Sequence, residues 1–235
     1  MARARRMTPS SPRRPRPSQR PSPDVTPAPQ LSLGLLLTAA AGMIDVVGFI
    51  ELGGFYTSFM SGNTTQLGAG LAHMGPALAL PAGLIVMFVV GSFLGSLISG
   101  IGQRHGRIGV LAIVIAGLLV TLVLHANGFS AAQAMLALAT AAGAQNAALP
   151  QTGAVRLGAT FVTGTLFAVG QDLARAVRRE APPLRWLQHL LVWLALLLGA
   201  AIGAFSYGQW QVGALIVPGA IYLAFLSAAV IQAAR

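Results

Sequence analysis

Asp45 is the acid set deep within a long apolar run, AAAGMIDVVGFIELGG. A carboxylate near the middle of a membrane span costs roughly 2.5–3.5 kcal/mol on insertion scales, so it should face the bundle interior and be protonated or paired. Three chemistries suit such a group: coupling to a proton, ligating a cation, or anchoring a substrate. A carboxyl that only hydrogen-bonds neighbouring helices is the structural alternative. Glu51 falls near the outer end of the same run, where interfacial water is within reach.

A second set of polar residues is Ser61, Gly62, Asn63, Thr64 and Thr65. Small hydrogen-bonding side chains cluster there around a glycine, which permits a tight turn or close backbone approach. Its hydroxyls and amide could coordinate a substrate or cap a broken helix. Gln145, Asn146, Thr163, Gly164 and Thr165 form a matching set later in the chain. Asp45, Ser61, Gly62, Asn63, Thr64, Gln145, Asn146, Thr163 and Gly164 are therefore the expected substrate or ion path. Asp172 is followed three residues on by Arg175, a local ion pair suited to a helix at the membrane interface.

Catalytic alternatives find little support. Cysteine is absent, which removes thiolate metal sites and cysteine nucleophiles. His73, His105, His125 and His189 fall at span ends or in loops without metal-ligand spacing. An intramembrane serine hydrolase would need Ser61 beside His73 or His125, and no nucleophile motif surrounds it. A phosphate loop of the G-x-x-x-x-G-K type cannot exist without lysine. The expectation is a protein that is not an enzyme and carries no metal or cofactor.

The elements that must position these residues are long and apolar. The chain has 235 residues, of which 55% are hydrophobic and 9% charged, and a mean hydropathy of +0.72. A soluble domain carries roughly 25% charged residues, so a soluble fold is excluded. Six apolar runs, at about 31–53, 77–101, 108–127, 130–150, 186–206 and 211–233, are each long enough to cross ~30 Å of hydrocarbon. Two further stretches, 55–73 and 157–173, are moderately apolar but rich in Ser, Thr, Asn, Gln and Gly. They read as short helices or re-entrant segments, since irregular backbone at depth survives only against protein or water.

The net charge of +10 rests wholly on arginine, and a pI near 11.8 first suggests nucleic acid. Position argues otherwise. Residues 1–30 hold seven arginines and eight of the 14 prolines, a composition expected to stay disordered. With this tail in the cytoplasm, Arg104 and Arg107, the cluster from Arg156 to Arg185, and Arg235 all fall inside. The outer connections carry no arginine, as the positive-inside rule requires. The expected location is the bacterial inner membrane with both termini cytoplasmic. The bilayer is the expected partner, with anionic lipid contact by the tail, and no nucleic acid.

The chain also resembles itself. AAGMID (40–45) matches AAGAQN (141–146), aligning Gly42 with Gly143 and Asp45 with Asn146. SFMSGNTTQLG (58–68) matches TFVTGTLFAVG (160–170). Gly91 and Gly95 match Gly199 and Gly203 at an offset of 108. Three spans per half is an odd number, so the second copy must insert upside down, a secondary-transporter pattern. The fold expected is an all-α membrane protein. Its six transmembrane helices form two inverted three-helix repeats, each with a short polar half-helix or re-entrant segment. The tail is 1–30 and the membrane domain 31–235, with repeats at 31–127 and 130–233.

At AAGMIDVVGF, GGFYTSFMSGNTTQLG, AAGAQNAAL and TFVTGTL the chain resembles the YoaK-like family of bacterial integral membrane proteins, a domain of unknown function. The likeness covers roughly residues 33–233 and falls on Asp45, Phe59, Ser61, Gly62, Asn63, Gln145, Asn146, Thr163 and Gly164. It implies a six-span inner-membrane protein and supplies no substrate. The function expected from the residues is a small-solute secondary transporter or permease. A non-transporting membrane scaffold or sensor is the alternative.

Overall fold

The computed structural model describes residues 26–72, 78–148, 162–180 and 182–234, and among them the chain is all-helical. Its elements are α1 (Ala28–Glu51), α2 (Met60–Leu71), α3 (Ala79–Ser99), α4 (Gln103–Ala126), α5 (Ala131–Gln145), α6 (Val162–Val177), α7 (Arg185–Trp210) and α8 (Ile216–Ala234). A 3-10 segment, Gln211–Leu215, joins the last two. Among the described residues four stretches are long and apolar enough to cross a membrane: Ala28–Glu51, Ala79–Ser99, Gln103–Ala126 and the 50 residues Arg185–Ala234. The last contains both α7 and α8. Helix α5 has 15 residues.

Local chemistry sets the boundaries. Helix α1 ends where Gly53 and Gly54 take positive φ of 62° and 112°, which glycine adopts without steric cost. Helix α5 opens on a capping box: Ser130 Oγ accepts from the Gln133 amide while Gln133 Oε1 accepts from the Ser130 amide. Several expected boundaries move. Residues 103–107 are the first turns of α4 rather than a loop, so Arg104 and Arg107 ride on that helix. Residues 207–210 belong to α7, and the chain turns at Gln211, with φ of 49°. The expected tail ends sooner than residue 30, because α1 already begins at Ala28. Thr26 is clamped by Gln188, whose Oε1 accepts from its amide at 3.0 Å and whose Nε2 donates to its carbonyl at 2.9 Å. Residues 1–25 lie outside the described set.

Close helix packing runs through glycine. A Cβ on Gly199 would overlap the Ala39 carbonyl, and one on Gly203 would sit 2.8 Å from Met43 Cα. Gly42 faces the Leu196 and Ala200 backbone in return. Helices α1 and α7 thus run parallel with backbones touching, as small residues at a membrane interface allow. The contact of α3 with α5 is built alike. Gly91 meets the Thr140 carbonyl, Gly95 meets Ala144, and Gly143 meets Phe88 and Ser92. The two contacts correspond position by position: those on α1 and α5 are 101 apart, and those on α3 and α7 are 108 apart. Helices α3 and α4 are antiparallel, with Gly106 against Ser99 and Gly109 against Ile98. Between these pairs lies a core that includes Ile44, Leu84, Val114, Met135, Leu138 and Tyr222.

Candidate functional site

Asp45 lies six residues before the end of α1. At 1.5 Å per residue the carboxyl is only ~9 Å from that end of a ~36 Å helix. It therefore sits in the last third of α1, not near the middle as its place in a 31–53 span suggests. Sequence reading missed this because the helix starts earlier and ends earlier than the apolar run.

What holds Asp45 is the chain that follows α1. The Thr57 amide donates to Oδ1 at 3.0 Å, the Thr57 hydroxyl at 3.1 Å and the Ser58 amide at 2.7 Å. Residues 52–59 thus turn back into the bundle as far as Asp45. Helix α2 then leads out again, since Gln66 Nε2 donates to the Gly54 carbonyl at 3.3 Å. The first polar stretch is a turn that folds back to Asp45, followed by the short helix α2. Helix α2 has no side-chain cap of its own at Phe59. Thr57 and Ser58 directly precede Phe59, so the Asp45 carboxyl fixes the chain where it enters α2.

Asn63 holds the same loop from the other side. Its Oδ1 accepts from the Tyr56 amide at 2.9 Å and its Nδ2 donates to the Tyr56 carbonyl at 2.6 Å. The side chain is fully buried. Gly62 is required beneath the aromatic lid of this turn. A Cβ there would stand 2.7 Å from Phe59 Cδ1 and 2.8 Å from Tyr56 Cε2. Tyr56 in turn packs on Phe49 and Phe59, with ring centroids 4.9 and 5.1 Å away. On α1, Gly48 leaves the space that the Thr57 methyl fills. A cavity of about 200 Å³ opens beside Asp45, lined also by Gly42, Val46, Phe49, Tyr56, Leu196 and Ala200.

The remaining expected path residues separate from this centre. Ser61 and Thr64 are exposed on α2, and Thr64 Oγ1 donates within its own helix to Met60. Gln145 is buried elsewhere, where Tyr222 OH donates to its Oε1 at 2.5 Å and its Nε2 has no partner among the described residues. Asn146 Nδ2 donates to the Ala142 and Gly143 carbonyls at the end of α5. Thr163 and Gly164 are exposed on α6, while Thr165 is buried. His73 lies outside the described residues. Asp45 and Asn63 are brought together on one loop. Glu51 accepts from Tyr207 OH at 2.7 Å and so ties the ends of α1 and α7.

Asp172 has a different principal partner from the one its spacing suggests. Arg185 grips it with two bonds, Nε to Oδ2 at 2.9 Å and Nη2 to Oδ1 at 2.5 Å. Arg175 is farther, at 3.6 Å. A forked guanidinium–carboxylate pair is the stronger arrangement, and it ties α6 to α7. The Arg185 hydrogen bonds hold the Asp172 carboxyl below its ordinary range. A depressed carboxyl pKa stabilises the fold above the unfolded value and loses that contribution as pH falls through the folded value. The loss of protection of the α6 amides, measured relative to their intrinsic exchange rates, should therefore rise as pH drops below the ordinary carboxylate range. Arg185→Gln should move that rise to higher pH, and an unchanged profile would contradict the pairing.

Comparison with known proteins follows the same elements. A family described as "Protein of unknown function (DUF1275)" matches residues 33–228. The chain is 34% identical over 201 residues to UPF0700 transmembrane protein RA0705 of Rhizobium meliloti, with 83% of each chain covered. No solved structure matches.

Proposed function

The chain belongs to the DUF1275 family and is similar to a Rhizobium meliloti protein called a transmembrane protein, and from that premise we propose a small-solute secondary transporter or permease of the bacterial inner membrane. In this reading α1, α3, α4, α5, α7 and α8 are six spans, the termini are cytoplasmic, and the halves are inverted repeats. The observation that carries the reading is the pair of glycine contacts, α1 with α7 and α5 with α3, whose residues correspond at offsets of 101 and 108. Two like contacts between halves of opposite insertion are the geometry on which alternating access works. Helix α2 and its re-entrant loop form the outer gate, latched by Asp45 and Asn63. Helix α6, tied through Asp172 to Arg185, occupies the corresponding inner position.

The test is transport itself. Full-length protein reconstituted in liposomes should move at least one member of a library of amino acids, sugars, organic acids, amines and inorganic ions, read as current, pH change or tracer uptake. Empty liposomes should not. Failure to move any member would reject the proposal.

One observation favours the alternative of a non-transporting scaffold or sensor. The Asp45 carboxyl accepts three hydrogen bonds from Thr57 and Ser58, so it has a structural task. That reading expects deletion of residues 1–25, which spares the Thr26 clamp and α1, to abolish the cellular role, with Asp45 substitutions acting only through folding. It assigns the arginine-rich tail to anionic lipid or a protein partner.

A further inference from the structure

We propose that a groove between α1, α4 and α8 is a binding site for one anionic phospholipid. The groove encloses about 330 Å³, within the size range of small-molecule sites. Its walls are apolar, with Leu33, Leu36 and Phe225 along them, and Arg107 and Gln232 supply its hydrogen-bond donors. An acyl chain fits the first set and a phosphate the second.

Charge complementarity selects the headgroup. Arg107 is half-buried on the second turn of α4, whereas Arg104, one turn earlier, is exposed. Among the described residues Arg107 has no ion pair. The described acids are engaged elsewhere: Asp45 with its loop, Glu51 with Tyr207, Asp172 with Arg185, and Glu180 with Arg178. A guanidinium held in an apolar groove calls for an anion whose remainder is itself apolar. A forked donor suits phosphate oxygens. The groove also lies at the arginine-bearing end of the bundle, beside the starts of α1 and α4 and the end of α8. Basic pockets between spans at that level suit acidic lipid headgroups.

The experiment is native mass spectrometry of the full-length protein released from micelles doped with phosphatidylglycerol or phosphatidylcholine. Wild type should retain one phosphatidylglycerol in preference to phosphatidylcholine. Arg107→Gln should lower that retention about fivefold, the loss expected of one arginine at an anionic surface. Arg107→Lys should retain part of it, and Arg104→Gln should match wild type. Ala228→Leu, which narrows the groove without touching the charge, should also reduce retention. Equal losses in Arg104→Gln and Arg107→Gln would mean diffuse attraction to the basic end and overturn the site. Displacement of the lipid by millimolar inorganic phosphate would mean that the site reads a free anion, and would overturn it as well.

Discussion

Alanine at Gly91 or at Gly199 should destabilise the protein by about 3 kcal/mol or more, and by similar amounts at the two positions. At each site a Cβ would overlap a backbone carbonyl, that of Thr140 or that of Ala39. A carbonyl in a packed helix cannot swing aside as the end of a side chain can. The helices must separate, and overpacking of this kind commonly costs about 1–3 kcal/mol, more where backbone is the obstacle. Separation also removes dispersion contacts along the whole α1–α7 or α3–α5 seam. In a chain of this length such a loss lowers the thermal midpoint by on the order of 10 °C. Gly208→Ala is the control, because a Cβ there meets nothing within 4 Å. Thermal unfolding of the purified variants in one detergent checks all three. Losses at Gly91 and Gly199 no greater than at Gly208 would show that the seams are not close-packed.

These seams were partly legible in the sequence. The Gly-xxx-Gly spacing at Gly91/Gly95 and Gly199/Gly203, and the offset between them, are properties of the residue string. Their partners are not. Which helix meets Gly199 depends on packing between residues 160 positions apart, and no periodicity within one run encodes that. The ends of the helices also escaped the apolar pattern. Arg104 and Arg107 look like loop residues by charge, yet arginine is a good helix former whose stem can lie along apolar surface while its head reaches water. Gly102, with φ of 137°, marks the actual break.

The first polar centre was legible in its residue types, while its geometry was not. Asp45, Gly62 and Asn63 stand out by composition, because a carboxylate and an amide inside apolar sequence need partners. Nothing local says that the partners of Asp45 are the amides of Thr57 and Ser58, reached only when the chain folds back. The aromatic triad of Phe49, Tyr56 and Phe59 was missed except for Phe59. Its signal was present: aromatic residues spaced around a glycine that could not carry a side chain beneath them. Arg185 was missed because a neighbour at Arg175 offered a simpler pair. The forked contact from the start of α7 is a tertiary choice that spacing along α6 cannot reveal.

Replacing Asp45 should separate its structural task from its role in transport. Asp45→Ala removes the acceptor for two backbone amides and one hydroxyl at once. A buried donor left without a partner costs about 1–3 kcal/mol, so the loss should reach about 3–5 kcal/mol, with the loop between α1 and α2 released first. Limited proteolysis between residues 52 and 59 should then cut the variant and spare wild type. Asp45→Asn keeps one carbonyl oxygen of the same reach and should cost only about 1–2 kcal/mol, since a neutral acceptor is weaker than an ionised one. It also removes the ionisable group facing the cavity beside Tyr56 and Ala200. If Asp45 couples a proton or cation to solute movement, Asp45→Asn should fold, resist proteolysis and lose at least tenfold of the coupled flux. If Asp45 serves only to hold the loop, the same variant should fold and carry any wild-type flux undiminished. Because loop protection and flux are read on one preparation, a flux loss with the loop intact assigns Asp45 to coupling, whereas unchanged flux in the folded variant removes it from that role.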